Sequence, residues 1–563
     1  MTYAAAKTHI ILLFILICNS LIAQVQEFKD TYPNGNTRSE GNYAAGFEDG
    51  IWKYYYEDGK LQEESNYVRG KMNGSVKRFH TNGQLMVEGY FLSGRQDSIQ
   101  RTFTLEGKKV EEGFYKKGNK VGMWNYFFPT GDTLRVEEFK DSLQLLWTVF
   151  SEPGKRVVIN GSGLYVEKFE NGKIRKSTNY LNGLGHGEFE EYYAGSALRM
   201  KGRYLKGQNE SEWKEFLPSG KIKKVSNYVA GVLNGKYVEN YANGEPKVIG
   251  NYMEGAKTGR WIWYLETGAK DMEGPFLDDV QQGDWIFYYG NGNKEYWGKY
   301  ENGLMDGLWQ YLYWGGERWK QGNYLRGKKV GKWTYWFENG QVLMEGNFKD
   351  DLEAGEWKSW YEKGAQKDIG NFHQGKMSGK WLGFYPNGVK NYEGQWSVVK
   401  KADAIEKKFS DLYKMNKDEA SLMRVGDVKT GKWTYYRETG MIEKMETYNA
   451  NGELNGAAET YNIAGKIESK GNFKLSKPDG KWEYFHPHGA PMRTCNYEEG
   501  KLNGKSMIYN ERGQIIEESN YMNNKLDGLY TSYDERTGKV KLKQIYENGI
   551  VKEVKEGVPG GKK

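Results

Sequence analysis

His486-Pro487-His488 brings two imidazoles close together in the chain, the beginning of a metal site. Doubled acids recur at Glu63-Glu64, Glu111-Glu112, Glu190-Glu191 and Glu517-Glu518. Paired carboxylates are the equipment of a glycoside hydrolase. Asn160-Gly161-Ser162-Gly163 has the glycines of a phosphate-binding loop, and Cys495 is a lone thiol. None of these groupings has the surroundings its chemistry needs. His9, His80, His186 and His373 are scattered, so the imidazole pair has no further ligand close by and reads as turn decoration. Neighbouring strand residues point to opposite faces, so the doubled acids do not converge on one bond. No strand–loop–helix pattern surrounds residues 160–163. Cys495 takes an ordinary strand position two residues before Tyr497 and reads as half-buried. Glu40, Glu64, Glu88 and Glu112 form a column at constant spacing, expected on a solvated face near lysines. The expectation is a protein that is not an enzyme and uses neither cofactor nor metal.

The elements that carry these residues are set by a period. Gly50, Gly74, Gly122, and later Gly235 through Gly379, open units of twenty-four residues, and the series resumes at Gly431. Ser98 and Ser211 stand where two of the glycines are missing. Seventeen residues after each start comes an aromatic, as at Tyr67, Phe91, Tyr228, Tyr324 and Phe348. Such self-similarity marks stacked repeats. Within one unit, Ile51–Tyr56 is rich in strand-forming aromatics, Asp58-Gly59 signals a two-residue turn, and Lys60–Tyr67 is the return strand. With that turn, Trp52, Tyr54, Tyr56, Leu61 and Tyr67 share one face and Tyr55 takes the other. The offset of Tyr55 is nevertheless aromatic in many units. Either both faces carry rings, or a bulge near the turn switches the parity.

Composition agrees with shallow ring layers. Aromatics are 15% of the chain against only 38% hydrophobic in total, with 73 Gly. The net charge of +7 is spread along the chain, so nucleic-acid binding is not expected. Lys7 and the apolar run Ile10–Cys18 read as an export signal cleaved after Ala23, giving a periplasmic or extracellular protein. Residues 26–141, 163–396 and 431–549 carry the repeats. Residues 142–162 form an irregular insertion, expected to add an extra strand or turn packed on the stack, and 550–563 a flexible tail. Ala402, Ile405, Phe409 and Leu412 lie at helical spacing, predicting a helical insertion over 397–430. It either covers the sheet or acts as a partner-binding or hinge element. The expected fold is all-β, an elongated solenoid of stacked β-hairpins with one short helical insertion.

The pattern Gly-x-Trp-x-x-Tyr-x-x-Asn-Gly followed by Glu-Gly-Asn-Tyr/Phe is clean at Gly331–Gly340 and Glu345–Phe348. It resembles the MORN repeat, in the variant form common in secreted and antitoxin-labelled bacterial proteins. The resemblance implies a scaffold, a membrane-lipid partner or neutralisation of a toxin. The reading adopted is an exported, non-enzymatic scaffold that binds a protein partner at the bacterial envelope. A glycan or membrane-lipid surface, or neutralisation of a toxin partner, is the alternative. Trp261, Trp263, Trp285, Trp309, Trp333, Trp336, Trp357 and Trp360 are the candidate binding rings, unless packing occupies them.

Overall fold

A computed structural model describes residues 25–398 and 427–557. These residues form 46 strands in antiparallel pairs, and no helix is present among them. The chain divides into two compact units, Met1–Thr258 with Glu266–Gly268, and Gly259–Leu265 with Ala269–Lys563. Within each, strands adjacent in sequence pair with one another, so every repeat is a hairpin added to the edge of the last.

The hairpin turn is longer than the two residues expected. Tyr56 N–H donates to the Lys60 carbonyl at 2.8 Å and Gly59 N–H to the Tyr56 carbonyl at 2.9 Å, giving a three-residue loop. Gly59 closes it in the left-handed region at φ 84°. This geometry inserts a bulge, and the register slips between Tyr54 and Tyr55. Leu61 therefore pairs with Tyr55 instead of joining the Trp52 face. Both alternatives for the parity hold together: a bulge is present, and both faces carry rings.

On the first face, Trp52 meets Tyr43 at 5.0 Å, Tyr54 at 6.2 Å and Tyr67 at 6.4 Å between centroids. In most units that carry the tryptophan, its ring packs on a glycine of the preceding strand. A Cβ added to Gly322 would sit 2.1 Å from the Trp333 ring. The indole N–H then donates to the next carbonyl along, from Trp333 to Asn323 at 3.2 Å and from Trp381 to Asn371 at 3.2 Å. This explains the glycine of Glu-Gly-Asn, which is the seat; the acceptor is a main-chain carbonyl, supplied equally by Pro275 and Lys299 in other units.

The second face is polar. Lys29 and Glu40, Lys53 and Glu64, and Arg101 with both Glu88 and Glu112 form the ion pairs expected of the glutamate column. Glu273 belongs to the same column but is only 2% exposed. Burial opposes its charge, yet hydrogen bonds from Tyr288, Lys270 and Arg260 outweigh it and hold the carboxyl below its usual range. A depressed folded pKa contributes stability that is full at neutral pH and is lost as pH falls through the folded value. Glu273→Gln is expected to cost roughly 2 kcal/mol at pH 7 and much less at pH 3. Denaturant melts at the two pH values measure the difference.

The repeats are also stapled at the turn. Tyr56, Tyr313 and Tyr361 hydroxyls donate to the carbonyls of Phe79, Trp336 and Phe384 at 2.7, 2.8 and 2.9 Å, each twenty-three residues on. Asn339 Nδ2 donates likewise to the Glu362 carbonyl at 3.0 Å. At the unit starts, Ser98 and Ser211 adopt φ of 62° and 60°, the conformation of the glycines they replace. Ser211→Gly is thus expected to stabilise by about 1 kcal/mol. The denaturant midpoint should rise with an unchanged slope.

The helical insertion is not seen. Ala402, Ile405, Phe409 and Leu412 lie outside the described residues, and the borders of the expected segment are strand. Ser397 pairs with Val428 and Val398 with Asp427, continuing the strands Lys390–Val398 and Asp427–Tyr436. The turn staple also continues: Tyr385 donates to the Tyr436 carbonyl at 2.8 Å, fifty-one residues away instead of twenty-three. Residues 142–162 are strand as well, mainly Leu143–Glu152 and Lys155–Ile159. Leu146, Val149 and Val158 form a small buried cluster there, with Tyr165 and Tyr180 packed on it. These aliphatic side chains replace the tryptophan seat where the period breaks.

Candidate binding groove on the ring face

Two residues beyond each seated tryptophan, a second side chain points to the same face. In consecutive units this position is Trp263, Phe287, Tyr311 and Tyr335. Trp263 and Tyr311 lie beside the tryptophan of the following unit, at 5.9 Å from Trp285 and 6.5 Å from Trp333, while Phe287 stacks on Tyr296 at 4.2 Å. The next two units break the series with Ser359 and Gly383. The ring missing at Ser359 leaves a cavity of about 280 Å³, lined by Tyr335, Met344, Phe348, Trp357, Phe372 and Trp381 among others.

Its walls and polar groups are fixed by the register. Ser359 pairs with Asp368, and Phe348 with Glu353, so both carboxylates share the ring face and line the cavity. Tyr392 lies across Gly383, where an added Cβ would meet its ring at 2.1 Å. From there its hydroxyl donates to Asp368 Oδ1 at 2.7 Å, while Ser359 Oγ donates to Oδ2 at 3.1 Å. Burial and the Asp368 bond push the Tyr392 phenol above its ordinary range. Burial, with Tyr324 and Glu353 nearby, pushes Tyr335 up to about 12. Both phenols thus remain donors. The arrangement can hold an apolar group against rings and a hydrogen-bond donor against Asp368.

The eight tryptophans selected from sequence divide in two. Trp261, Trp285, Trp309, Trp333 and Trp357 are 2%, 1%, 0%, 0% and 7% exposed, because the glycine-seated position is the core of the sheet. Their faces are occupied, which corrects their selection as open stacking rings. Only Trp357 borders the cavity. Trp263, Trp336 and Trp360 are half-buried. Sequence reasoning missed the two open tryptophans, Trp314 and Trp319, at 59% and 39% exposure. Neither occupies a repeat column. Trp314 sits in a turn 5.1 Å from Tyr289, and Trp319 is 4.0 Å from the Lys320 ammonium.

The reactive residues are absorbed by the architecture. His486 and His488 occupy staple positions and donate from Nε2 to the Tyr509 and Glu511 carbonyls at 3.2 and 3.0 Å. Cys495 fills a glycine seat at 1% exposure, and burial raises its thiol pKa. Among the described residues, no group of three or more His, Cys, Asp or Glu is placed to hold a metal.

The MORN repeat variant matches this chain at residues 48–69, 72–92, 209–230 and 329–350. No curated protein matches. Among solved structures, the chain is similar to the crystal structure of TcdB2-TccC3-Cdc42 at 10% identity, covering 96% of this chain and 33% of that one, with a TM-score of 0.11. The Photorhabdus luminescens Tc holotoxin pore, with mutation TccC3-D651A, gives 9% identity, 96% and 32% coverage and a TM-score of 0.12. The chain thus spans about a third of those proteins, at 33% and 32%. Superpositions this loose carry no functional argument.

Proposed function

We propose that this chain is an exported, non-enzymatic repeat scaffold that binds a protein partner at the bacterial envelope through the ring face. The observation that supports it is the groove at Ser359, an apolar recess lined by Tyr335, Phe348, Trp357, Phe372 and Trp381. Concave, ring-lined recesses with a few convergent polar groups are the usual form of a recognition site. The four MORN-variant matches support the scaffold part, since stacked repeats present extended binding surfaces. Export rests on the leader read from Lys7 to Ala23.

Ser359→Trp restores the missing ring. It is expected to fold with a stability change within about 1 kcal/mol and to abolish partner recovery when the full chain is used as bait in envelope extract. A partner held equally by both forms rules out the groove, and a wild-type chain that retains nothing rules out the scaffold. A second reading, glycan stacking, is favoured by the exposure of Trp314 and Trp319 alone. A glycan array probed with wild type and with the double alanine variant decides it.

A further inference from the structure

The groove has a charge its surroundings do not balance. Asp368 and Glu353 line it, and neither is paired with a base among the described residues. Lys358 also borders the cavity, but its ammonium lies 2.8 Å from Glu356. The Lys329 ammonium rests on the Trp333 and Phe348 rings, 4.8 and 4.9 Å from their centroids. Asp368 accepts only two hydrogen bonds, from Tyr392 and Ser359. An ionised carboxylate has about four acceptor sites, so it can take more. The remaining lining, Phe348, Trp357, Phe372 and Trp381, offers aromatic surface.

We infer that the groove accepts a basic side chain, lysine or arginine, projected by the protein partner. This deepens the scaffold reading above and rests on it. A long aliphatic stem is complementary to the ring-lined wall. Its cationic head meets the Asp368 and Glu353 carboxylates. An acidic group would face two uncompensated carboxylates, and a neutral chain would leave them without a counter-charge. Ser359 sets the specificity: it opens the volume and fixes the rotamer of the carboxylate that reads the charge.

The test uses the full chain and follows tryptophan fluorescence while titrating Nα-acetyl-lysine amide, Nα-acetyl-arginine amide and the neutral isostere Nα-acetyl-norleucine amide. Saturable binding of the two cations is expected, with norleucine about tenfold weaker, the discrimination expected of a desolvated ion contact. Asp368→Asn should remove that preference without unfolding the sheet, and Ser359→Trp should remove binding altogether. Norleucine binding as tightly as lysine, or no saturation by either cation, overturns the inference. Partner capture reports separately on the scaffold. If capture is lost with Ser359→Trp but unaffected by Asp368→Asn and by excess lysine amide, the scaffold reading survives and the basic side chain does not.

Discussion

Trp333→Ala is expected to lower the stability of its own and the adjoining repeats by about 4 kcal/mol. Trp333 is 0% exposed and packs on Tyr324 at 5.2 Å, Phe348 at 5.9 Å and Tyr335 at 6.1 Å. Alanine removes the indole, empties the seat above Gly322 and leaves the Asn323 carbonyl without its 3.2 Å donor. Cavity and hydrogen-bond losses therefore act together. Stability in a linear repeat array is a sum of units and neighbour contacts, so the loss should stay local. Hydrogen exchange should show lost protection in Arg318–Leu325, Lys328–Trp336 and Val342–Lys349, with the strands from Ile467 onward unchanged. Uniform loss along the chain, or none, contradicts this account.

Gly322→Ala should be nearly as damaging, although it adds only one methyl group. The new Cβ would overlap three atoms of a fully buried indole, all within 2.4 Å. The ring cannot swing away without opening the ladder, so about 3 kcal/mol of overpacking is expected. Gly89→Ala is the control. Gly89 occupies the same slot, but Gln100 faces it, and the nearest atom is 3.7 Å from an added Cβ. That change should be neutral or slightly stabilising. The chain itself shows the permitted exchange: Ser65 sits in a seat opposite Val76, both nearly inaccessible at 1% and 2%. Gly322→Ser combined with Trp333→Val is therefore expected to recover part of what Gly322→Ala loses. Equal denaturant midpoints for Gly322→Ala and Gly89→Ala would show that the seat is not the reason for the glycine.

Much of the fold was legible because each unit repeats the same decisions. The spacing of Gly50 and Tyr67, the Asp58-Gly59 turn signal and the aromatic strand Ile51–Tyr56 all point to one hairpin. The turn length was not legible, since Asp-Gly also closes a three-residue loop, and that one residue moved Leu61 to the other face. The site was the harder part. Counting tryptophans favours the column where they are most frequent, yet a column that recurs in most units is one the sheet needs for packing. The usable signals were departures from the column. Trp314 and Trp319 stand outside it, and Ser359 and Gly383 lack a ring where Tyr335 has one. A second signal lies in Gly41 and Trp52, or Gly471 and Trp482, eleven residues apart: a tryptophan with a glycine at that distance is seated and closed.

The junction between Val398 and Asp427 has a practical corollary. Those two residues are held side by side by cross-strand pairing, and Met377 N–H anchors the second through Asp427 Oδ2 at 2.9 Å. The ladder on either side keeps its spacing despite the intervening chain, so this position works as a splice point. A foreign domain whose own termini lie close together can be grafted there as cargo, with no repeat sacrificed to carry it.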